Sequence, residues 1–189
     1  MSSMSMSRSS LWAVDSRVIV YAAIGAALYA VLGLFSFILP GTSDVQVRPA
    51  FALVTFFGYS FGPLVGLFVG FVGNAVIDQI QGAGLLTYWN WSLANGVAGF
   101  IAGLATLYVG GMMAGSVGQR AVAGAIASVV GSIIGFLLAF IDIALGGMDF
   151  STVLSSEYIP VITADVIAVV ILVPILVYAW EPLKQSLGR

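Results

Sequence analysis

Asn74 and Asp78 stand four residues apart, and so do Trp91 and Asn95. On a helix each pair shares a face. Trp89 and Asn90 adjoin the second pair, Gln46 and Arg48 lie upstream, and Asp142, Glu157 and Asp165 follow. Indole rings offer stacking area, whereas amides and carboxylates fix ring nitrogens and hydroxyls. Together they suit a small, flat, polar heterocycle held between helices. Covalent and metal chemistry find little support. The chain has no histidine and no cysteine. That excludes imidazole acid–base catalysis, thiol nucleophiles, disulfides, Fe–S clusters and zinc sites built on those ligands. No metal or cofactor is expected. No Gly-rich phosphate loop with its Lys occurs, so any energy for transport has to come from a partner or an ion gradient. An aspartyl enzyme would need two facing acids in a deep cleft. Asp142 and Asp165 are the candidates, and Asp142 reads as interfacial.

The elements that position these residues follow from composition. Of 189 residues 60% are hydrophobic and 7% charged, with six Lys or Arg and eight Asp or Glu. A soluble domain carries roughly 25% charged residues, so this is an integral membrane protein. A net charge of −2 without basic runs argues against nucleic acid. Charge-free stretches mark the spans, each needing about 20 residues. Helices are expected at about 18–39, 46–59, 63–80, 91–108, 121–141 and 158–178, preceded by a disordered cytoplasmic tail over 1–16. Pro40-Gly41 ends the first, Gly58 to Pro63 forms a turn between the second and third, and Pro174 should bend the last. The expected fold is an all-α membrane protein, a bundle of six transmembrane helices in a single domain over 17–189.

Six helices place Arg8, Arg17, Arg120, Lys184 and Arg189 on one side and leave Arg48 on the other. The positive-inside rule makes the first side cytoplasmic, with both termini. Asp44, Asp78, Asp142, Asp149, Glu157 and Asp165 then fall on the outer half, where the longer connections lie. Loop solvation accounts equally well for Asp78, Asp142 and Asp149, an interfacial belt for Trp89 and Trp91, and an interhelical hydrogen bond for Asn74. Asp165 is too deep for easy solvation, and ionisable groups at that depth default to function. Its expected partner is Arg48 or a ligand donor. Small residues recur at Gly58, Gly62, Gly66 and Gly70, at Gly96, Gly99 and Gly103, and at Gly124, Gly131 and Gly135. Close internal packing accounts for these. The first helix differs, because Ala22/Ala26 and Ala23/Ala27 form two adjacent small-residue pairs. A flat surface of this kind can receive a partner protein.

These features resemble the substrate-binding S components of energy-coupling factor (ECF) transporters, which take up vitamins in prokaryotes. The resemblance covers nearly the whole chain. It rests on six short helices, cytoplasmic termini, the Ala-rich first helix, Arg48-Pro49-Ala50, and Phe61-Gly62-Pro63 followed by Gly66, Gly70, Gly73 and Asp78. The segment 48–78 is similar to a subgroup linked to hydroxymethylpyrimidine or thiamine-related uptake. The resemblance implies a non-enzymatic subunit of the cell membrane. It captures a vitamin or precursor near the outer face, in a pocket of the first outer loop and helices 4 to 6. It implies docking through the alanines of the first helix onto a transmembrane T component, two cytoplasmic ATPase subunits, and toppling of the S component to carry the pocket inward. By position, Arg48, Trp91, Asn95, Asp142, Glu157 and Asp165 are the expected substrate-binding residues, and Ala22, Ala23, Ala26 and Ala27 the docking residues. The competing expectation is a stand-alone secondary carrier or channel with Asp165 as its ion or proton site, although no inverted internal repeat is evident.

Overall fold

The computed structural model describes Trp12 and residues 14–186. Most of the expected tail over 1–16 lies outside them, as do Arg8 and Arg189. The first helix, α1 (Ser16–Gly33), starts where the Asp15 carboxylate accepts the Val18 N–H at 2.9 Å, an N-cap that satisfies one free donor. It stops well short of residue 39. Phe37–Ile38 (β1) instead pairs antiparallel with Gln46–Val47 (β2), Phe37 opposite Val47. The second helix, α2 (Phe51–Phe61), therefore begins later than 46. Both corrections have one cause. The apolar run continues through β1, and hydropathy alone does not separate a helix end from a strand of two residues.

The turn expected before Pro63 is present. Gly62 has φ +111°, which an L side chain rarely adopts, and Pro63 opens α3 (Pro63–Ile80) at a position that needs no N–H. Next come α4 (Trp89–Gly103) and a one-turn helix, α5 (Gly110–Met113). A capping box of Ser116 and Gln119 starts α6 (Val117–Gly135). A 3₁₀ stretch, Phe136–Ile141, leads into α7 (Asp142–Gly146). The short α8 (Phe150–Val153) runs through a π-turn, Leu154–Tyr158, into α9 (Ile159–Ser186). The last helix continues past both Pro174 and Pro182.

Among the described residues four helical stretches are long and apolar enough to cross a membrane: Ser16–Gly33, Pro63–Ile80, Val117–Gly146 and Phe150–Lys184. At 11 and 15 residues, α2 and α4 are shorter. The bundle centres on α4. A Cβ on Gly66 would collide with the Gly99 carbonyl, one on Gly70 with the Asn95 carbonyl, and one on Gly131 with the Ala98 carbonyl. The glycines thus let α3 and α6 approach the α4 backbone, the internal role expected of them. One end of the bundle gathers the start of α1, the end of α2, the start of α6 and the end of α9. There Tyr21 stacks on Phe61 at 4.3 Å, Arg120 pairs with Glu181 at 2.8 Å, and the Tyr59 hydroxyl donates to the Arg120 carbonyl at 2.8 Å. The hairpin, the start of α4 and the 142–158 connection meet at the other end.

Candidate functional site

A cavity of about 600 Å³ opens at that second end, within the usual range of small-ligand sites. Its walls are the β1–β2 hairpin and Arg48, the last turns of α3, the first turns of α4, the 3₁₀ stretch with α7, and the π-turn with α9. Tyr29 reaches it from α1. Arg48, Trp91, Asn95, Asp142, Glu157 and Asp165 all line it. A second groove of about 690 Å³ lies between α6 and α9 along Ala121, Ala125, Val129 and Pro174. Tyr178 is the one polar side chain in its lining, so it lacks the groups that orient a polar ligand.

Arg48 is anchored on α3. One guanidinium nitrogen donates to Asn74 Oδ1 at 2.7 Å, and the other to Gln46 Oε1 at 2.9 Å, the latter also facing Asp78 in an ion pair at 3.4 Å. The i, i+4 pair works as a unit, because the Asn74 amide donates to Asp78 Oδ2 and to Ser92 Oγ on α4, each at 3.0 Å. The interhelical bond expected of Asn74 is therefore present. Asp78 is buried rather than solvated. It also takes the place expected of Asp165 as the partner of Arg48, because the hairpin carries Arg48 over the end of α3. Buried Arg48 Nε is left without a hydrogen-bond partner among the described residues.

On α4 the polar groups hold one another. The Trp91 indole N–H donates to Asp142 Oδ2 at 2.7 Å, and the Asn90 amide to Asp142 Oδ1 at 2.9 Å. Asp142, which a solvated interface would also have explained, is thus clamped to α4. Asn95 donates to the Trp91 carbonyl at 2.9 Å and accepts the Tyr29 hydroxyl at 2.8 Å. Its carbonyl oxygen already holds α1 against α4, so one amide N–H remains for another partner. Trp91 lies tilted against Phe136, ring centres 6.0 Å apart.

Glu157 and Asp165 differ from the rest. Glu157 is 5% exposed and Asp165 4%. Glu157 Oε2 is buried with no hydrogen-bond partner among the described residues. Asp165 makes no hydrogen bond or ion pair among the described residues. Unpaired acids at this depth are costly, and both border the cavity. Their placement follows a pattern visible in the sequence. Val153, Glu157, Val161, Asp165, Val169, Val173, Val177 and Glu181 are all buried, one every four residues. That inward stripe delivers the two acids to the cavity and Glu181 to Arg120 at the far end. Tyr29 and Ser92 carried no such signal, since an isolated tyrosine or serine in an apolar helix reads as packing.

The four alanines of α1 divide. Ala22 and Ala26 are each 7% exposed and belong to the core, so they are not free to meet a partner, whereas Ala23 and Ala27 are exposed.

A family model described as "ECF-type riboflavin transporter, S component" matches residues 14–181. Among curated proteins, a UPF0397 protein of Vibrio atlanticus (strain LGP32) is 39% identical over 90 residues, 48% of this chain and 48% of that protein. The chain thus aligns with about half the length of that relative.

Proposed function

We propose that this chain, which belongs to the ECF-type riboflavin transporter S component family, is the substrate-binding subunit of an energy-coupled importer. It captures a small water-soluble vitamin or precursor in the cavity at the hairpin end. The observation that carries this reading is a pair of buried atoms without a hydrogen-bond partner among the described residues, the Arg48 Nε donor and the Glu157 Oε2 acceptor, bordering one cavity that buried Asp165 also lines. A ligand with complementary donors and acceptors removes that cost. Trp91 and Phe136 supply aromatic area beside them. The family description names riboflavin. The 48–78 resemblance favours a thiamine- or hydroxymethylpyrimidine-like heterocycle, and both are flat rings with polar edges.

In this reading α1, α2, α3, α4, α6 and α9 are six crossings, α2 and α4 being short ones. Arg17, Arg120 and Lys184 then face the cytoplasm with both termini, and the cavity opens outward in a prokaryotic cell membrane. The exposed Ala23 and Ala27 meet the T component, two ATPase subunits drive the cycle, and the S component topples to deliver its cargo. Unpaired Asp165 is also what a stand-alone carrier would use as an ion site. Uptake into proteoliposomes separates the two. Uptake that requires ATP and the T and ATPase subunits supports the S-component reading, whereas uptake by this chain alone, driven by a proton or sodium gradient, supports the carrier.

A further inference from the structure

Among the described residues five acids line the cavity, Asp44, Asp78, Asp142, Glu157 and Asp165, against one base, Arg48. Asp78 offsets the charge of Arg48 directly. Asp142 accepts from two neutral donors, an indole and an amide, so its charge is fixed in place without being cancelled. Glu157 lines the same cavity, and its buried Oε2 has no hydrogen-bond partner among the described residues. Asp165, two turns further along the same inward stripe, lines it too. Among the described residues the lining thus pairs Arg48 with Asp78 and leaves Asp142, Glu157 and Asp165 without a paired cation.

We infer that the cavity selects a ligand carrying a positive charge, such as a quaternary or ring nitrogen, seated against Glu157 and Asp142. The inference rests on the cavity being the ligand site, as proposed above, and adds the ligand's charge. Two carboxylates in a poorly solvated wall attract a cation strongly and oppose a phosphate or carboxylate. The tryptophan that donates to Asp142 also borders the cavity, and an indole face attracts a cation. Asp165 and Arg48 Nε remain for the ligand's uncharged donor and acceptor edges.

Pairs of probes that differ in charge but little in shape test this on the full chain in nanodiscs. 1-Methylnicotinamide, a ring-nitrogen cation, is compared with its neutral isostere 3-methylbenzamide, and choline with 3,3-dimethylbutan-1-ol. At least one cation should bind about tenfold or more tightly than its neutral twin. Glu157→Gln should cut the ratio of cation to neutral-twin affinity about tenfold. If no cation outbinds its twin, the inference is overturned, and the wild-type comparison decides this even if the variant misfolds. A ratio that Glu157→Gln leaves unchanged in a folded variant overturns the placement of the charge. Recovery of a neutral or anionic vitamin from the purified protein would sink the charge inference while the S-component reading stands. ATP-dependent uptake that never requires this chain would remove that reading itself.

Discussion

Arg48 shows how single residues build the cavity, since its position depends on Asn74. The Asn74 amide accepts from Arg48 and donates to Asp78 and Ser92. Asn74→Ala removes one hydrogen bond from each of the three, and one unsatisfied buried group costs about 1–3 kcal/mol. We therefore expect a thermal midpoint lower by roughly 2–4 °C per kcal/mol for a chain of this length, together with weaker ligand binding. Trp91→Ala and Asp165→Asn should each weaken binding about tenfold or more, equivalent to about 1.4 kcal/mol, through lost ring area and a lost acceptor. Asp149 is the contrast. It caps α8 from the surface, and hydrogen bonds from the Ser151 hydroxyl and from Thr152 hold its carboxyl well below the usual carboxylate range. Its folded-state pKa is depressed, so its contribution is complete above about pH 4 and lost only as pH falls further. Ligand affinity of Asp149→Asn should match wild type between about pH 5 and 8, read by titration. At this scale the sequence was informative where a polar group interrupts an apolar run, as Trp91, Asn95, Asp142, Glu157 and Asp165 do. It was silent on Tyr29, because residue type does not tell where a hydroxyl points. It also favoured Asp165 over Asp78 as the partner of Arg48, because residue types do not mark the two-residue strands of the hairpin that sets the position of Arg48.

Helix order and most helix positions were legible because turns carry their own chemistry. Gly62 and Pro63 separate α2 from α3, and Ser116 with Gln119 starts α6. The exceptions are β1 and β2, which two residue pairs hold together and which no period reveals. The glycine seams were legible as packing, although their partners were not. A Cβ on Gly99 meets the Gly66 carbonyl, and backbone on both sides cannot move aside as a side chain can. Gly99→Ala should cost about 1–3 kcal/mol as overpacking and lower the melting temperature. A Cβ on Gly110, in α5, meets nothing within 4 Å, so Gly110→Ala should stay within about 0.5 kcal/mol of wild type. Equal losses in the two variants would mean that α3 and α4 are not packed through these glycines.

For the molecule as a whole, the account requires the two ends of the bundle to face opposite compartments. The chain has no native cysteine, so single introduced cysteines report position directly. Gly118→Cys should label from the cytoplasmic side and Gly147→Cys from outside. Reversal would invert the topology and put the cavity on the wrong face for uptake. Partner docking makes a separate demand. Ala23→Trp and Ala27→Trp add bulk to an exposed face of α1, so assembly with the T component and uptake should fail while ligand binding by the isolated chain survives. The same change at buried Ala22 or Ala26 should instead unfold the chain. The central claim is that the cavity bordered by Arg48, Trp91, Glu157 and Asp165 holds a small-molecule cargo. Native mass spectrometry of the purified protein tests it most directly. Wild type should retain a non-covalently bound small molecule, and a Trp91→Ala/Asp165→Asn double variant that melts cooperatively should have lost it. Equal retention in both proteins would contradict the account.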